Sequence, residues 1–103
     1  MLLKKNRANR EDLNKVFKNG LFLSSPNLSF RYIKALDNKI SFITPKTVSK
    51  SAVKRNFLRR KGYFFLKKHI NLLKSPAVGA FLFKKNNIED LENEIKNILN
   101  RVN

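Results

Sequence analysis

The chain has 103 residues, no cysteine and a formal net charge of +16, from 23 Lys and Arg against 7 Asp and Glu. The missing cysteines exclude disulfides and cysteine-based zinc sites, and Met1 to Arg7 lacks the apolar core of a signal peptide, so we expect a cytoplasmic protein without a membrane span. Because 42% of the residues are hydrophobic, we expect residues 1–103 to form a single folded domain, and the positive charge predicts that it binds a polyanion such as RNA or DNA.

The first part of the chain predicts a basic arm and a short helix. Residues 1–9 are expected to be flexible. From Glu11 to Asn19 the apolar side chains recur at i, i+3 and i+4, and the two acidic residues in the first turn suit a helix N-terminus. Gly20 is expected to end this helix.

Three strands are predicted next. Residues 21–23 are briefly extended, residues 28–33 alternate between two kinds of side chain, and residues 39–44 are rich in β-branched and aromatic side chains. Residues 36–39 have the composition of a hairpin turn, which would join the second and third strands.

A long basic helix is predicted to begin near Ser49 or Ser51 and to reach about Leu73. Between Lys46 and Lys74 the chain has ten Lys or Arg and no acidic residue. Helical spacing places Phe57 and Phe64 on nearly the opposite side from the apolar residues expected to face the core, and Gly62 marks a bend or a close backbone approach. The core-facing set is Leu58, Phe65, Leu66, His69, Ile70 and Leu73.

The C-terminal part predicts one buried strand and one amphipathic helix. Residues 77–83 are continuously apolar, as in a strand that is buried on both faces, and residues 88–102 carry an apolar stripe at helical spacing. The predicted order is therefore α-β-β-β-α-β-α. This order indicates the α+β class, as a small two-layer sandwich of one mainly antiparallel sheet with helices packed on it.

The basic helix offers a set of candidate phosphate contacts. Arg55 and Arg59 lie one turn apart, as do Asn56 and Arg60, so the four cover adjacent strips of the helix. Guanidinium groups bind phosphate in bidentate fashion, and the Asn amide can bond a phosphate, a 2′-hydroxyl or a base edge. The alternative, a merely solvated basic face, is less favoured because no acid is interspersed to form intrahelical pairs.

The aromatic residues have two interpretations. Phe17, Phe30 and Tyr32 could form a platform on which unpaired bases stack, or they could pack in the core. Tyr32 and Phe57 are the stronger candidates for exposure. His69 is expected to be structural, since the sequence shows no acid–base partner beside it. No nucleophile motif, carboxylate pair or Gly-rich phosphate loop is present, so catalysis by the polypeptide itself is not expected.

Two segments resemble a known family, the protein component of bacterial ribonuclease P. Residues 52–60 (AVKRNFLRR) are similar to its Arg-Asn-Arg helix motif, and residues 11–20 (EDLNKVFKNG) are similar to its first helix. The spacing of the two segments also fits. Phe57 stands where the motif has its second arginine, and Thr47 stands where the family usually has a lysine after Lys46.

The resemblance implies a subunit of ribonuclease P that supports 5′ maturation of precursor tRNA. The chemistry would belong to a catalytic RNA with bound Mg²⁺, and the protein, a monomer in a 1:1 complex, would hold no catalytic residue and no tightly bound metal. The 5′ leader would lie in a cleft between the first helix and the sheet, against Phe17, Lys18 and one of Phe30 or Tyr32. The residues expected to bind RNA are Lys46, Lys50, Lys54, Arg55, Asn56, Arg59 and Arg60.

A second interpretation stays open from charge and size alone. A small structural RNA-binding protein, such as a ribosomal protein, would have the same basic composition without an enzymatic role. A membrane-active basic peptide is disfavoured because the predicted strands and core indicate a fixed fold.

Overall fold

The computed structural model describes residues 7–102, which form three α-helices and four β-strands. The order α-β-β-β-α-β-α and the α+β class confirm the prediction. Residues 1–6 of the predicted flexible arm lie outside the described residues. The elements are α1 (Arg10–Asn19), β1 (Leu21–Ser24), β2 (Leu28–Lys34), β3 (Lys39–Ile43), α2 (Ala52–His69), β4 (Ala77–Phe83) and α3 (Leu91–Val102), with a turn of 3₁₀ helix at Ile70–Leu72 after α2.

The four strands form one sheet in the order β1-β2-β4-β3. β2 is antiparallel to both β1 and β4, whereas β3 is parallel to β4. The predicted hairpin between β2 and β3 is wrong, because β4 lies between these strands. The turn does reverse the chain, but β4 takes the central position since its side chains are apolar on both faces. The parallel pair β3 and β4 is joined by α2, as a crossover connection requires.

The core lies between the sheet and the helices α2 and α3. At its centre the rings of Phe30, Phe81 and Phe42 stack across β2, β4 and β3, with centroid separations of 4.3 Å and 4.8 Å. α2 approaches this column closely at Gly62, where an added Cβ would lie 2.5 Å from Cδ1 of Phe42. Of the two readings of Gly62, the structure supports the close approach.

The two ends of α2 are fixed by hydrogen bonds. Ser51 is the N-cap, since its Oγ accepts a bond from the Lys54 amide at 3.2 Å. At the other end α2 stops at His69, four residues before the predicted Leu73. Nε2 of His69 lies 2.6 Å from Oε2 of Glu92 on α3. The sequence analysis found no acidic partner for His69 because Glu92 is 23 residues away and only the fold brings it near.

Glu94 attaches α3 to the turn between β1 and β2. Its carboxylate accepts hydrogen bonds from the Ser25 hydroxyl, from the Asn27 amide at 2.8 Å and from Nδ2 of Asn27 at 2.7 Å. Burial raises the pKa of Glu94, but the hydrogen bonds from Ser25 and Asn27 together have a larger, opposite effect. The pKa therefore lies below the ordinary value of 4.5. The ionised form of Glu94 is therefore the one that stabilises the fold.

We predict that Glu94→Gln lowers the free energy of unfolding at neutral pH by roughly 2 kcal/mol, because one donor of Asn27 loses its charged acceptor. The folded-state pKa is lowered, so the contribution of Glu94 is complete above its unfolded pKa and is lost as pH falls through its folded pKa. The difference between the variant and the wild type should therefore shrink in acid.

Denaturant unfolding at neutral and acidic pH measures this difference. Glu89→Gln is the matched control, since it removes the same charge from an exposed position. An equal loss of stability in both variants would show that the general charge balance, and not the Glu94 contacts, is responsible.

Candidate nucleic-acid interface

The N-terminal half of α2 presents a basic surface. Seven of the 18 residues of α2 are Lys or Arg and none is acidic. Within residues 7–102, one Lys or Arg of α2 forms an ion pair with a carboxylate. This residue is Lys68, near the C-terminal end of the helix, whose Nζ lies 3.2 Å from Oε2 of Glu92. The Lys and Arg residues of α2 that precede Lys68 carry positive charge that no described carboxylate pairs with. The predicted RNA-binding residues are exposed at Lys46, Lys50, Lys54, Asn56 and Arg60 and half-buried at Arg55 and Arg59.

Two of the predicted contacts are positioned by the protein itself. Nη1 of Arg55 donates hydrogen bonds to the carbonyl oxygens of Ser49 and Lys50, both at 3.0 Å, and so ties the preceding loop to the helix. One turn later, Nη2 of Arg59 donates to Oδ1 of Asn56. This bond orients the Asn56 amide so that its NH₂ group is the part available to an acceptor on a ligand.

Cationic side chains converge beside Tyr63. The guanidinium of Arg7 lies over the Tyr63 ring, 4.2 Å from its centroid. Arg7, Asn56, Arg59, Arg60 and Tyr63 together line a hollow of about 160 Å³. Three guanidinium groups around one small hollow repel each other unless an anion lies between them, and a phosphate can accept bidentate hydrogen bonds from such groups. The sequence analysis missed Arg7, since nothing in its local sequence indicates this contact.

The segment before α1 connects three elements. Arg7 contacts α2 through Tyr63. The carbonyl of Ala8 accepts a 3.0 Å hydrogen bond from the Ser41 hydroxyl on β3. Asn9 caps α1, because its Oδ1 accepts from the Asp12 amide at 2.8 Å and its own amide donates to Oδ2 of Asp12 at 3.1 Å. These three residues lie where the basic face of α2 and the α1 face of the sheet meet.

Phe30 and Tyr32 do not line the cleft between α1 and the sheet. Phe30 is fully buried and Tyr32 is only 6% exposed, and the two rings stack on each other with centroids 5.4 Å apart. Alternate residues of a strand face opposite sides of the sheet, so both rings point to the core together with Phe81. The predictions that one of them stacks on a base and that Tyr32 is exposed are therefore wrong.

The exposed side chains that meet on the α1 side of the sheet are instead Phe17, Phe22 and Arg31. Phe17 is 42% exposed and Phe22 is 53% exposed, and the guanidinium carbon of Arg31 lies 6.0 Å and 5.1 Å from their ring centroids. Lys18, also predicted for the cleft, is exposed on α1. The sequence analysis missed Phe22 and Arg31. The alternation along β2 places Arg31 on the face opposite Phe30 and Tyr32, so the sequence did indicate Arg31. Phe22 lies beside it because the two residues pair across β1 and β2.

The described residues offer neither a metal cluster nor a membrane span. Residues 7–102 contain no group of three or more His, Asp or Glu side chains that could hold a metal ion. In the same part of the chain no helix has both the length and the apolar character needed to cross a bilayer.

Comparisons with known proteins agree with this geometry. The family model described as Ribonuclease P matches residues 3–103. The ribonuclease P protein of Thermotoga maritima has the same fold, with a TM-score of 0.83 and 16% identity over 94% of this chain and 97% of that one. The protein of Staphylococcus aureus matches with a TM-score of 0.69 and 20% identity over 99% and 90% of the two chains. A search of curated protein sequences finds no match.

We predict that Arg60→Ala weakens RNA binding and reduces the slope of log K against log salt concentration by roughly 0.7 to 0.9, the value for one lost phosphate contact. Arg60 is exposed and borders the hollow beside Tyr63. Binding titrations at several salt concentrations measure the slope. Arg101→Ala is the control, since Arg101 is an exposed arginine on α3. Equal reductions in both variants would mean that only the total charge matters.

Proposed function

The chain belongs to the ribonuclease P protein family, and on this ground we propose that the basic face of α2 and the cleft between α1 and the sheet bind two different RNAs. It is the protein subunit of ribonuclease P and takes part in the 5′ maturation of precursor tRNA, with the ribonuclease P RNA and precursor tRNA as partners. The family match gives no support to the alternative of a structural RNA-binding protein without an enzymatic role. The division of tasks between the surfaces is argued below.

The basic face of α2 is assigned to the catalytic RNA. The observation that carries this assignment is the group of side chains beside Tyr63, where Arg7, Arg59 and Arg60 converge without a carboxylate partner. A structured RNA presents closely spaced phosphates, which can occupy such a group from several directions. Lys46, Lys50 and Lys54 are exposed in the preceding loop and the first turn of α2, where they extend the basic surface.

The cleft between α1 and the sheet is assigned to the single-stranded leader of precursor tRNA. Two half-exposed phenylalanines with a guanidinium between them match an unpaired strand, because bases stack on the rings while the cation meets the backbone. This contact does not depend on base identity, since every base has a π-face. It therefore suits a leader whose sequence differs from one precursor to another.

The cleavage chemistry is assigned to the RNA subunit. Mg²⁺ bound by that RNA would assist hydrolysis of the phosphodiester bond. In this proposal the protein contributes binding surfaces for the two RNAs and no catalytic residue. The proposal also includes a monomeric protein in a 1:1 complex with the RNA, located in the cytoplasm where precursor tRNA is processed.

Reconstitution tests this function directly. The protein is mixed with ribonuclease P RNA, and cleavage of precursor tRNA is followed at low Mg²⁺ concentration. We expect the protein to increase cleavage strongly there, the RNA alone to cleave only at high Mg²⁺, and the protein alone to be inactive. A lack of stimulation by the protein would contradict the function, and cleavage by the protein alone would contradict the assignment of the chemistry to RNA.

We predict that Phe17→Ala and Phe22→Ala each weaken the binding of precursor tRNA to the reconstituted enzyme by roughly 1 to 3 kcal/mol, the value of one base–aromatic stack. Binding of the same tRNA without its leader should not change, and the comparison of the two ligands measures the effect. The matched control is Leu21→Ala, which removes an exposed apolar side chain from the other face of β1. Loss of affinity for both ligands would place these rings outside the leader site.

A further inference from the structure

Two large aromatic side chains are exposed on the solvent side of α2. Phe57 is 46% exposed and Phe64 is 60% exposed. They are seven residues apart, which on an α-helix means about 20° around the axis and about 10 Å along it. With Arg60 and Lys61 they line one hollow of about 300 Å³, at the lower end of the range of roughly 300 to 1,000 Å³ for small-molecule sites.

Neither ring belongs to the buried core, although Phe64 packs edge-to-face on the half-buried Phe65 with ring centroids 5.3 Å apart. The buried side of α2 is formed by Leu58, Gly62, Tyr63 and Leu66, so the core is complete without them. A single exposed phenylalanine would call for no explanation, but two that share one hollow form an apolar patch, and such patches mark interaction sites. Lys61 contacts Phe57 only weakly, with its Nζ 5.8 Å from the ring centroid, near the limit of about 6 Å for a cation–π contact.

The surroundings of the hollow select the kind of partner. Arg60 and Lys61 lie between the two rings, and no described carboxylate pairs with either of them. A second copy of this chain would bring another charge of +16 to the same place, which repulsion opposes. A partner with both an anionic backbone and flat apolar groups satisfies the cations and the rings together, and a nucleic acid strand with an unpaired base is such a partner.

We propose that the hollow on α2 binds an unpaired base of the ribonuclease P RNA. The base stacks on Phe57 or lies between Phe57 and Phe64, and Arg60 and Lys61 bind the phosphates on either side of it. The site rests on the proposed function in one respect, namely that α2 faces the catalytic RNA. It explains the side chain at position 57, where a ring contributes to RNA binding by stacking and an arginine would contribute by charge.

Stacking and charge can be separated by their salt dependence. A stacked base releases no counterion, so loss of the ring lowers the affinity without changing the slope against salt, whereas loss of Arg60 changes both. We expect Phe57→Ala to reduce the affinity for the RNA roughly tenfold with an unchanged slope. Phe57→Leu should lose most of that affinity as well, and Phe57→Tyr should retain it, because only the second keeps an aromatic ring.

The chain has no tryptophan, so Phe57→Trp introduces a single fluorophore at the site. Stacking on a base should quench its fluorescence when the RNA binds. Leu36→Trp is the control, since Leu36 is 94% exposed and lies before β3, at the other end of that strand from the start of α2. Quenching only at position 57 supports the proposal, and equal quenching at both positions, or none at position 57, overturns it.

The outcomes also separate this site from the proposal on which it rests. If Arg60→Ala weakens binding and Phe57→Ala does not, α2 faces the RNA but no base enters the hollow. If neither variant changes the affinity or the slope, α2 does not face the RNA at all. Sedimentation of the free wild-type protein and of Phe57→Ala tests the remaining occupant, and self-association that Phe57→Ala abolishes would assign the hollow to a second copy of the chain. Unfolding curves of each variant confirm that it is folded.

Discussion

The column of stacked rings at the centre of the sheet fixes the other parts of the molecule. Phe30, Phe81 and Phe42 join β2, β4 and β3 through ring contacts at 4.3 Å and 4.8 Å. α2 can pack against this column only because Gly62 leaves room for the Phe42 ring. Once these rings point to the core, strand alternation turns Arg31 and its neighbour Phe22 to the opposite face, beside α1. The packing of the core therefore determines what the cleft contains.

The sequence predicted the elements well because they depend on local spacing. The helices and strands follow from periodicity, and the burial of β4 on both faces follows from its continuous apolar run. The pairing of β3 with β4 could not be read in this way, since the turn at residues 36–39 looks the same whether or not a third strand enters between its arms. The family resemblance places one of Phe30 or Tyr32 in the cleft, although the alternation of both residues with Arg31 favours the core. For these two rings the information was present, whereas for Arg7 it was not, because its contact with Tyr63 is purely tertiary.

The acidic side chains explain why the basic surface remains open. Asp12 is used in the cap of α1, Glu92 pairs with Lys68 and His69, and Glu94 is buried against Ser25 and Asn27. Each of these carboxylates has a structural partner and lies away from the first turns of α2. These three negative charges stabilise helix ends and a turn, and the Arg and Lys residues in the first turns of α2 are left to an external polyanion.

This distribution of charge accounts for a phenylalanine at position 57, where the family motif has an arginine. A further arginine there would lie beside the cations Arg60 and Lys61, which repel it, and its gain in RNA binding would fall as the salt concentration rises. A phenylalanine adds no repulsion to a chain with a net charge of +16, and the stacking free energy that it offers does not depend on counterion release. With Arg60 and Lys61 beside it, the ring needs to supply only the uncharged part of the contact. The replacement of a charge by a ring is therefore consistent with a helix that still binds RNA.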